Sequence, residues 1–539
     1  LDARLAGPIP AGLSLIDRPP LSLMTKAGKP TDLAQGNGTA AFRMTLPMVH
    51  RPRADKFDWQ VSADLGPLTT TKIVPNRTLS ADHLRLEATK RGIRIEGPAR
   101  IDGVPLAGAW TQSFAPSDQG KSRVEGTVDI TPDALQTFHI QLPKGAVAGQ
   151  GKGAFTLDLT KGQPPAFRLE STLSGLALAL PDVGWSKAAG TPGHFAVAGR
   201  FTRPIAISEL AIDAGGLSGK GSLTLRDDGG MAEASFAGLR IADWFKGDVT
   251  LTGRGKGAPP AIAITGGTLD APRAPFASGQ EMRPSVAAGA PLSVALDRLT
   301  LAPGLDLQGF RGTFATGGGL AGDFTGAING RAALTGRIGR TDAGQTVIRL
   351  WSDDAGAALA AAGIYASGRG GRMGLTLSPR GPKGTYDGAL AIKDIRVVNA
   401  PALAGLLDAI SVVGLIQQLQ GEGIWFSDVT GRFTLTPGAV EITRGSAVGA
   451  SLGVSAAGVY RMSDHWLDLQ GTISPIYLLN GVGQIFSRQR DGLFGFNYTI
   501  QGPKDAPHTR VNPLSILTPG LFRDLFRKAP ATLDSLPAP

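Results

Sequence analysis

Few residues of this sequence have the type and spacing of a catalytic or binding site. The segment GASLG, residues 449–453, matches the G-x-S-x-G pattern, which exposes a serine nucleophile on a sharp turn between a strand and a helix. The residues that follow it, VSAAGVYRM, alternate as a strand does. We therefore interpret Ser451 as part of β structure. The adjacent carboxylates Asp353 and Asp354 would point to opposite faces of a strand or share a turn.

The sequence gives no better support for a metal-binding or a phosphate-binding site. The six histidines are isolated, without the short spacings that hold a metal ion. The segments GQGKG (149–153) and GRGKG (253–257) resemble phosphate loops, but glycine follows lysine where serine or threonine is needed. We interpret both as basic hairpin turns. The sequence predicts no catalytic residue, no metal site and no cofactor, so we expect a protein that is not an enzyme.

The end of the chain predicts a short two-faced helix. Thr518 is a suitable N-cap and Pro519 a suitable first helical residue, which predicts a helix over 519–528. Its apolar and basic residues, candidates for a membrane contact or an end cap, are Leu521, Phe522, Arg523, Leu525, Phe526, Arg527 and Lys528. Either the last strands of a sheet or an anionic membrane surface would cover the apolar stripe. We favour the cap.

The elements that would position these residues are short strands with apolar and polar residues in alternation. Such strands are separated by glycine-containing turns about 8 to 12 residues apart, which predicts antiparallel meanders of about 35 strands in total. The residues chosen as candidate groove lining are Phe155, Leu157, Leu159, Phe496, Tyr498 and Ile500. We predict a mainly β fold, an elongated, repetitive and curled antiparallel sheet that forms a groove with an apolar interior. Closed β-sandwiches with filled cores are the alternative.

Composition agrees with a folded β protein. The chain has 539 residues, of which 75 are glycine and 42% are hydrophobic, so we assign the glycines to turns and strand packing. It has no cysteine, which leaves the redox compartment open. The net charge of +10 favours anionic partners, but aromatic residues make up only 6% and no basic aromatic platform is visible. An anionic membrane surface is favoured over nucleic acid.

Helical patterns are few. TPDALQTF (131–138) predicts a helix that begins after a Thr-Pro cap, and Ser474 with Pro475 begins another short helix. One long helix is predicted over 401–420, interrupted by Asp408 and too short in its apolar run to span a membrane. We expect it to be a lid or plug on the apolar sheet face, through Leu403, Leu406, Leu407, Ile410, Val413 and Ile416.

We divide the chain into three segments. Residues 1–200 and 201–395 are predicted to be β-rich parts of the groove, and residues 396–539 a unit containing the helices 401–420 and 519–528. The sequence begins at Leu1 without a signal pattern, so any targeting segment is expected to lie outside it.

Several longer runs resemble one protein family. The last part of the chain carries WSDDAGAALAAAGIYASGRGG (351–371), AIKDIRVVNAPALAGLLDAIS (391–411), LDLQGTISPIYLLNGVGQI (467–485) and FNYTIQGPKDAPHTRVNPLSILTPGLFRDLF (496–526). In this order they resemble the C-terminal region of AsmA-like proteins, a bacterial envelope group that also contains the TamB-like proteins. EGPARIDGVPLAGAWTQSF (96–114) and GWSKAAGTPGHFAVAG (184–199) resemble the central part of the same family.

The resemblance implies a location and a function. It implies a periplasmic body, an inner-membrane anchor at an N-terminus absent from this chain, and a role in moving phospholipid between inner and outer membranes and in outer-membrane integrity. The implied partners are phospholipid acyl chains, a membrane surface and an outer-membrane or envelope protein. The alternative is an assembly or secretion scaffold for outer-membrane proteins, as proposed for TamB-like relatives, whose exposed strand edges would pair with client strands.

Overall fold

The computed structural model describes residues 2–19, 21–45, 58–140, 142, 145–275, 289–341, 344–381, 384–475, 495–513, 515 and 530–533. Within them the chain forms 33 strands and six short α-helices, which confirms the mainly β fold class. Thirty strands belong to one sheet, and three form a small second sheet. Two compact units are present, Leu1–Asp243 with Asp248–Gly257, and Trp244–Gly247 with Ala258–Pro539.

The first unit contains the first seventeen strands. They are β1 Asp2–Pro8, β2 Gln35–Thr45, β3 Asp58–Thr70, β4 Leu79–Ala81, β5 Leu84–Thr89, β6 Gly92–Ile101, β7 Val104–Ser113, β8 Lys121–Ile130, β9 Val147–Gly149, β10 Gly151–Thr160, β11 Ala166–Ser171, β12 Leu176–Leu180, β13 Trp185–Lys187, β14 His194–Arg200, β15 Ala206–Ala214, β16 Leu217–Leu225 and β17 Met231–Ile241. The next strand, β18 Phe245–Thr252, has residues in both units.

Strands of the first unit pair in a simple meander. Each strand of the large sheet is antiparallel to the next one along the chain, and β4 and β5 lie end to end between β3 and β6. The same order continues from β7 through β8, β10, β11, β14, β15 and β16 to β17. Glycine-containing and other short turns join most of these strands, as the sequence predicted.

The small sheet of β9, β12 and β13 lies where β10 begins and β11 ends. Lys187 of β13 is only 3% exposed, yet its charged amine has no carboxylate partner among the described residues. Instead Nζ donates hydrogen bonds to the carbonyl oxygens of Leu173 at 2.8 Å and Leu176 at 2.9 Å. A buried cation that binds backbone carbonyl oxygens in this way holds the loop around it in place.

The second unit contains the remaining strands. They are β19 Ala261–Asp270, β20 Pro291–Ala302, β21 Leu305–Ala315, β22 Ala321–Ile328, β23 Ala332–Arg340, β24 Thr346–Ser352, β25 Gly368–Arg369, β26 Arg372–Pro379, β27 Tyr386–Val397, β28 Ile424–Leu435, β29 Ala439–Val448, β30 Gly453–Arg461, β31 Trp466–Ser474, β32 Phe496–Pro503 and β33 His508–Asn512. From β20 onward they form an antiparallel ladder, in which β25 is a short extra partner of β27.

One pairing departs from the predicted antiparallel sheet. β19 and β20 are parallel, with Ile262 opposite Leu292 and Leu269 opposite Leu299. Parallel neighbours need a crossover connection of a dozen or more residues, and β19 ends at Asp270 while β20 begins at Pro291. The sheet is therefore mixed.

The predicted division into three segments at residues 200 and 396 stays a prediction. Pairing continues across residue 200 through β14 and β15, and across residue 396 through β27 and β28. The two compact units divide the chain between residues 243 and 258. The RFTRP segment near residue 200 is a hairpin connection within one unit.

The α-helices are α1 Ile9–Ile16, α2 Leu23–Lys26, α3 Pro132–Thr137, α4 Ala355–Ala361, α5 Pro401–Ala409 and α6 Val413–Gln420. The predicted Thr-Pro cap is confirmed at α3, where the Thr131 hydroxyl accepts from the Ala134 N–H at 3.1 Å. The single helix predicted over 401–420 is wrong, because α5 and α6 are separate helices. Ser411 between them has a left-handed φ of +56°, and the β-branched residues around it weaken helix propagation.

Two predictions fall outside the described residues. One is the helix over 519–528 with Leu521, Phe522, Arg523, Leu525, Phe526, Arg527 and Lys528, and the other is most of the helix beginning at Ser474. Within the described part of the chain, no helix has both the length and the hydropathy needed to cross a membrane.

Candidate functional site

The residues considered for catalysis or phosphate binding have structural roles in the described fold. Ser451 lies in the turn between β29 and β30, so a strand follows it and not the helix that a nucleophile elbow requires. The Asp354 carboxylate caps α4 by accepting from the Ala357 N–H at 2.9 Å. GRGKG follows β18 as a turn, but GQGKG joins β9 to β10, so the prediction of a hairpin turn there is wrong.

Among the described residues, no three acidic or histidine side chains lie close enough together to hold a metal ion. The two faces of the sheet, in contrast, differ in their content of apolar and charged residues. Residues directly opposite each other on paired strands share one face, so the pairing register identifies the two faces of each unit.

In the first unit one face carries an uninterrupted line of apolar residues, one from each of thirteen strands of the large sheet. We call it the first apolar row, and it consists of Leu5, Ala40, Ala63, Leu86, Ile95, Trp110, Val124, Leu157, Phe167, Gly199, Ile207, Leu223 and Ala234. A parallel line beside it includes Phe155, Leu169, Val197 and Leu210. None of these residues carries a charge.

The large side chains in the middle of the first apolar row are only half-buried. Leu86, Ile95, Trp110, Leu157 and Phe167 all retain solvent exposure. In a filled two-layer core such central residues would be almost fully buried, as Leu407 is at 0% exposure. Within the described residues, no second layer covers this part of the face.

The opposite face of the same strands is charged and internally paired. Arg168 Nε donates to Glu170 at 2.6 Å and its Nη1 to Glu209 at 2.8 Å, while Arg123 Nε donates to Asp158 at 2.7 Å. The hydrogen bond and the positive charge of Arg168 lower the pKa of Glu170 below its ordinary value of 4.5. This face is therefore suited to water, which leaves the apolar face as the candidate binding surface.

Glycines on the apolar faces of the two units lie beside aromatic rings or neighbouring backbone. A Cβ on Gly126 would be 2.3 Å from the carbonyl oxygen of Ala107, closer than real Cβ atoms approach. A Cβ on Gly336 would be 2.1 Å from the Phe324 ring, which lies over that glycine. Glycine thus permits neighbouring strands to approach closely. It also leaves space that an aromatic ring of the paired strand fills.

The second unit has a similar line. We call it the second apolar row, and it consists of Ile262, Leu292, Phe314, Gly322, Ile338, Ile348, Leu377, Gly388, Phe433, Ile442, Gly458, Leu469 and Ile500. Its other face carries ion pairs such as Asp323 with Arg337. The hydrogen bond from Arg337, followed by its charge, lowers the pKa of Asp323 below its ordinary value of 3.8.

The second apolar row ends under helix α5. Thr509 of β33 lies opposite Ile500, and its side chain is the nearest neighbour of Gly405 in α5. Leu406 and Leu407 are fully buried at this end, at 1% and 0% exposure. α5 thus covers the end of the row, as a cap does.

The other residues proposed for the lid are less buried than Leu406 and Leu407. Leu403, Ile410 and Ile416 are half-buried, and Val413 at the start of α6 is 63% exposed. Sequence reasoning missed Leu419, a fully buried residue of α6 that the single-helix periodicity did not select. Whether α5 and α6 act as a lid stays a prediction.

Candidate groove-lining residues fall on the apolar faces of both units. Leu157 is in the first apolar row, with Phe155 and Leu159 on the same face, and all three are half-buried. In the second unit, Ile500 belongs to the second row and Tyr498 is buried, its hydroxyl donating to the Ser455 carbonyl at 2.6 Å. Phe496 lies opposite Ile473 and is half-buried.

No protein-family model, no curated protein and no solved structure matches this chain. The resemblance to AsmA-like proteins therefore depends on the sequence segments alone.

Proposed function

We propose that this protein binds and conducts phospholipid acyl chains along its apolar rows, without catalysis. The observation that supports this most directly is the middle of the first apolar row, where large uncharged side chains are half-buried and not fully buried, while the opposite face is charged. Contact with an acyl chain would remove this apolar surface from water, with a gain of about 25 cal/mol for each Å² buried.

The dimensions suit more than one lipid at a time. Thirteen neighbouring strands spaced about 4.8 Å apart make a row about 58 Å long, measured along the sheet. An acyl chain in a bilayer spans about 15 Å, half of the hydrocarbon thickness of about 30 Å. A row of this length is better suited to a series of bound lipids, or to their passage, than to a single pocket.

The biological setting proposed here follows the family resemblance. Transport between the inner and outer membranes, support of outer-membrane integrity, a periplasmic location and an anchor outside this chain are all parts of that proposal. A polar exterior and an apolar surface are the properties that such a carrier needs to move lipid through water.

The test uses a photo-crosslinking amino acid at Leu157 and, as the matched control, at Thr127 on the charged face of the neighbouring strand. The protein is purified from bacterial cells after irradiation, and bound lipid is identified by mass spectrometry. We expect phospholipid adducts at position 157 and none at 127. Absence of phospholipid from both the crosslinked and the untreated protein would refute the proposal.

An edge strand supports the second candidate function, a scaffold for outer-membrane proteins. Among the described strands, β1 pairs only with β2, so its other edge is available for a client strand. A crosslinker at Ala6 of β1 would then capture outer-membrane proteins, and deletion of the protein would leave lipid distribution unchanged. Capture of lipid at Leu157 with no protein captured at Ala6 would exclude this candidate.

A further inference from the structure

One end of the first unit's strands forms a continuous rim of hairpin turns. Backbone hydrogen bonds join neighbouring turns, from the Phe114 N–H to the Arg91 carbonyl at 2.9 Å, from Lys161 to Gly120 at 2.8 Å, and from Phe201 to Pro165 at 2.9 Å. We call these turns, residues 90–91, 114–120, 161–165 and 201–205, the turn rim. They lie at the same ends of antiparallel strands and so border the first apolar row.

The turn rim carries cations that the rest of the described chain does not neutralise. Arg91, Lys161 and Arg203 are exposed, and none of them forms an ion pair within the described residues. The three turns that contain them hold no acidic residue. The 114–120 turn holds Asp118 and lies between the turns of Arg91 and Lys161. The turn rim as a whole carries four basic residues, Lys90, Arg91, Lys161 and Arg203, against this one acidic residue, so its net charge gives a positive field at one border of the apolar face.

Two cations at the other ends of the same strands form ion pairs. Lys72 pairs with Asp32, and Arg77 Nη1 lies 2.8 Å from Asp102 Oδ2. The buried Lys187 is held by carbonyl oxygens.

Aromatic residues connect the turn rim to the apolar row. Phe201 is 49% exposed, and its ring centroid lies 4.7 Å from that of Phe167 in the row. Phe114, next to Arg91, is 45% exposed. A molecule lying on the row with one end at the rim would meet apolar rings first and cations beyond them.

We propose that the turn rim binds the phosphate of phospholipid headgroups while their acyl chains lie on the first apolar row. This inference rests on the proposed function and specifies its ligand as a phosphate-bearing lipid. Arg91, Lys161 and Arg203 supply the positive charge, and Phe201 marks the boundary between chain and headgroup. Free phosphate compounds share the anion chemistry but lack the chains.

The test compares two triple variants of the full 539-residue chain that lose the same charge. The rim variant is Arg91→Gln, Lys161→Gln and Arg203→Gln. The control variant is Arg4→Gln, Lys220→Gln and Arg240→Gln, three exposed residues that the register places on the charged face. Transfer of labelled phosphatidylglycerol and of diacylglycerol with the same acyl chains is measured from neutral vesicles, and glycerol 3-phosphate binding is measured by calorimetry.

We expect the wild type and the control variant to bind phosphatidylglycerol at least about tenfold more tightly than diacylglycerol, a difference of about 1.4 kcal/mol. The rim variant should lose this preference and retain diacylglycerol binding. Equal preference in the rim variant and the wild type would overturn the headgroup proposal while the acyl-binding function stands. Glycerol 3-phosphate binding as tight as lipid binding would also overturn it, in favour of a small-phosphate site. Failure to bind either lipid would refute the proposed function itself.

Discussion

Replacing Leu157 by aspartate should separate an open apolar face from a filled core. Leu157 lies between Val124 and Phe167 in the first apolar row and is half-buried. Full burial of a leucine side chain contributes about 1.5 to 3 kcal/mol, and the partial burial of Leu157 contributes less than this. Because the site is open, the new carboxylate keeps water around it. We expect the free energy of unfolding to fall by about 1.5 kcal/mol.

The fall in the free energy of unfolding would be far larger if Leu157 lay in a closed core. Burying an unpaired carboxylate costs several kcal/mol, a large part of a total stability of about 5 to 15 kcal/mol. Leu407→Ala provides the reference for a truly buried site, where we expect a loss of about 2 to 5 kcal/mol. Thr127→Asp adds the same charge to the charged face, opposite Ala107 and Ala154, and should change stability by less than about 0.5 kcal/mol.

Urea unfolding followed by circular dichroism measures these differences, and phospholipid transfer is measured on the same folded samples. We expect Leu157→Asp to fold and to lose lipid binding, and Thr127→Asp to keep both. If Leu157→Asp prevents folding altogether, the apolar face is part of a closed core and the reasoning fails. If the variant folds and binds lipid as the wild type does, the row is not the binding surface.

Three further predictions concern stability. Gly126→Ala should destabilise the chain by at least about 2 kcal/mol in urea unfolding, because its Cβ would meet backbone, whereas Gly339→Ala, with no atom within 4 Å, should be neutral or slightly stabilising. Lys187→Met should cost about 3 kcal/mol by the same measurement, because it leaves buried carbonyl oxygens without a donor; an unchanged midpoint would show that water replaces the amine. The lowered pKa of Asp323 contributes stability above its ordinary value of 3.8 that is lost as pH falls through its folded value, so acid should lower the urea midpoint less in Arg337→Gln than in the wild type. An identical acid response in the two proteins would contradict this assignment.

Local sequence pattern predicted the strands well because each strand shows its own period of two. The alternation in AFTLDLT and FNYTIQG corresponds to β10 and β32, and the cap at Thr131 corresponds to α3. The same pattern could not distinguish a parallel from an antiparallel neighbour, so the pairing of β19 with β20 was missed. Period-two alternation is a property of one strand, while direction depends on the connection.

The candidate site was predictable only in part. Leu157 was identified as facing the apolar side, but the row and the turn rim depend on register, which brings together residues far apart in sequence. The helix over 401–420 was predicted from apolar spacing alone, and the left-handed Ser411 that divides it has no signature in that spacing. Lys187 was not singled out, because its burial depends on a small sheet whose strands have only three to five residues.

Rings placed over glycines have a consequence for movement of a ligand. In the apolar rows Phe167 lies beside Gly199, Phe314 beside Gly322 and Phe433 beside Gly388, so each ring fills the space that its neighbour leaves. A chain sliding from strand to strand would meet a surface of nearly even height and uniform chemistry, with no charged step to cross. Such a surface offers low friction but no preferred direction. Net flow along it would follow a difference in lipid supply between its ends, and any directional drive would have to act from outside the rows.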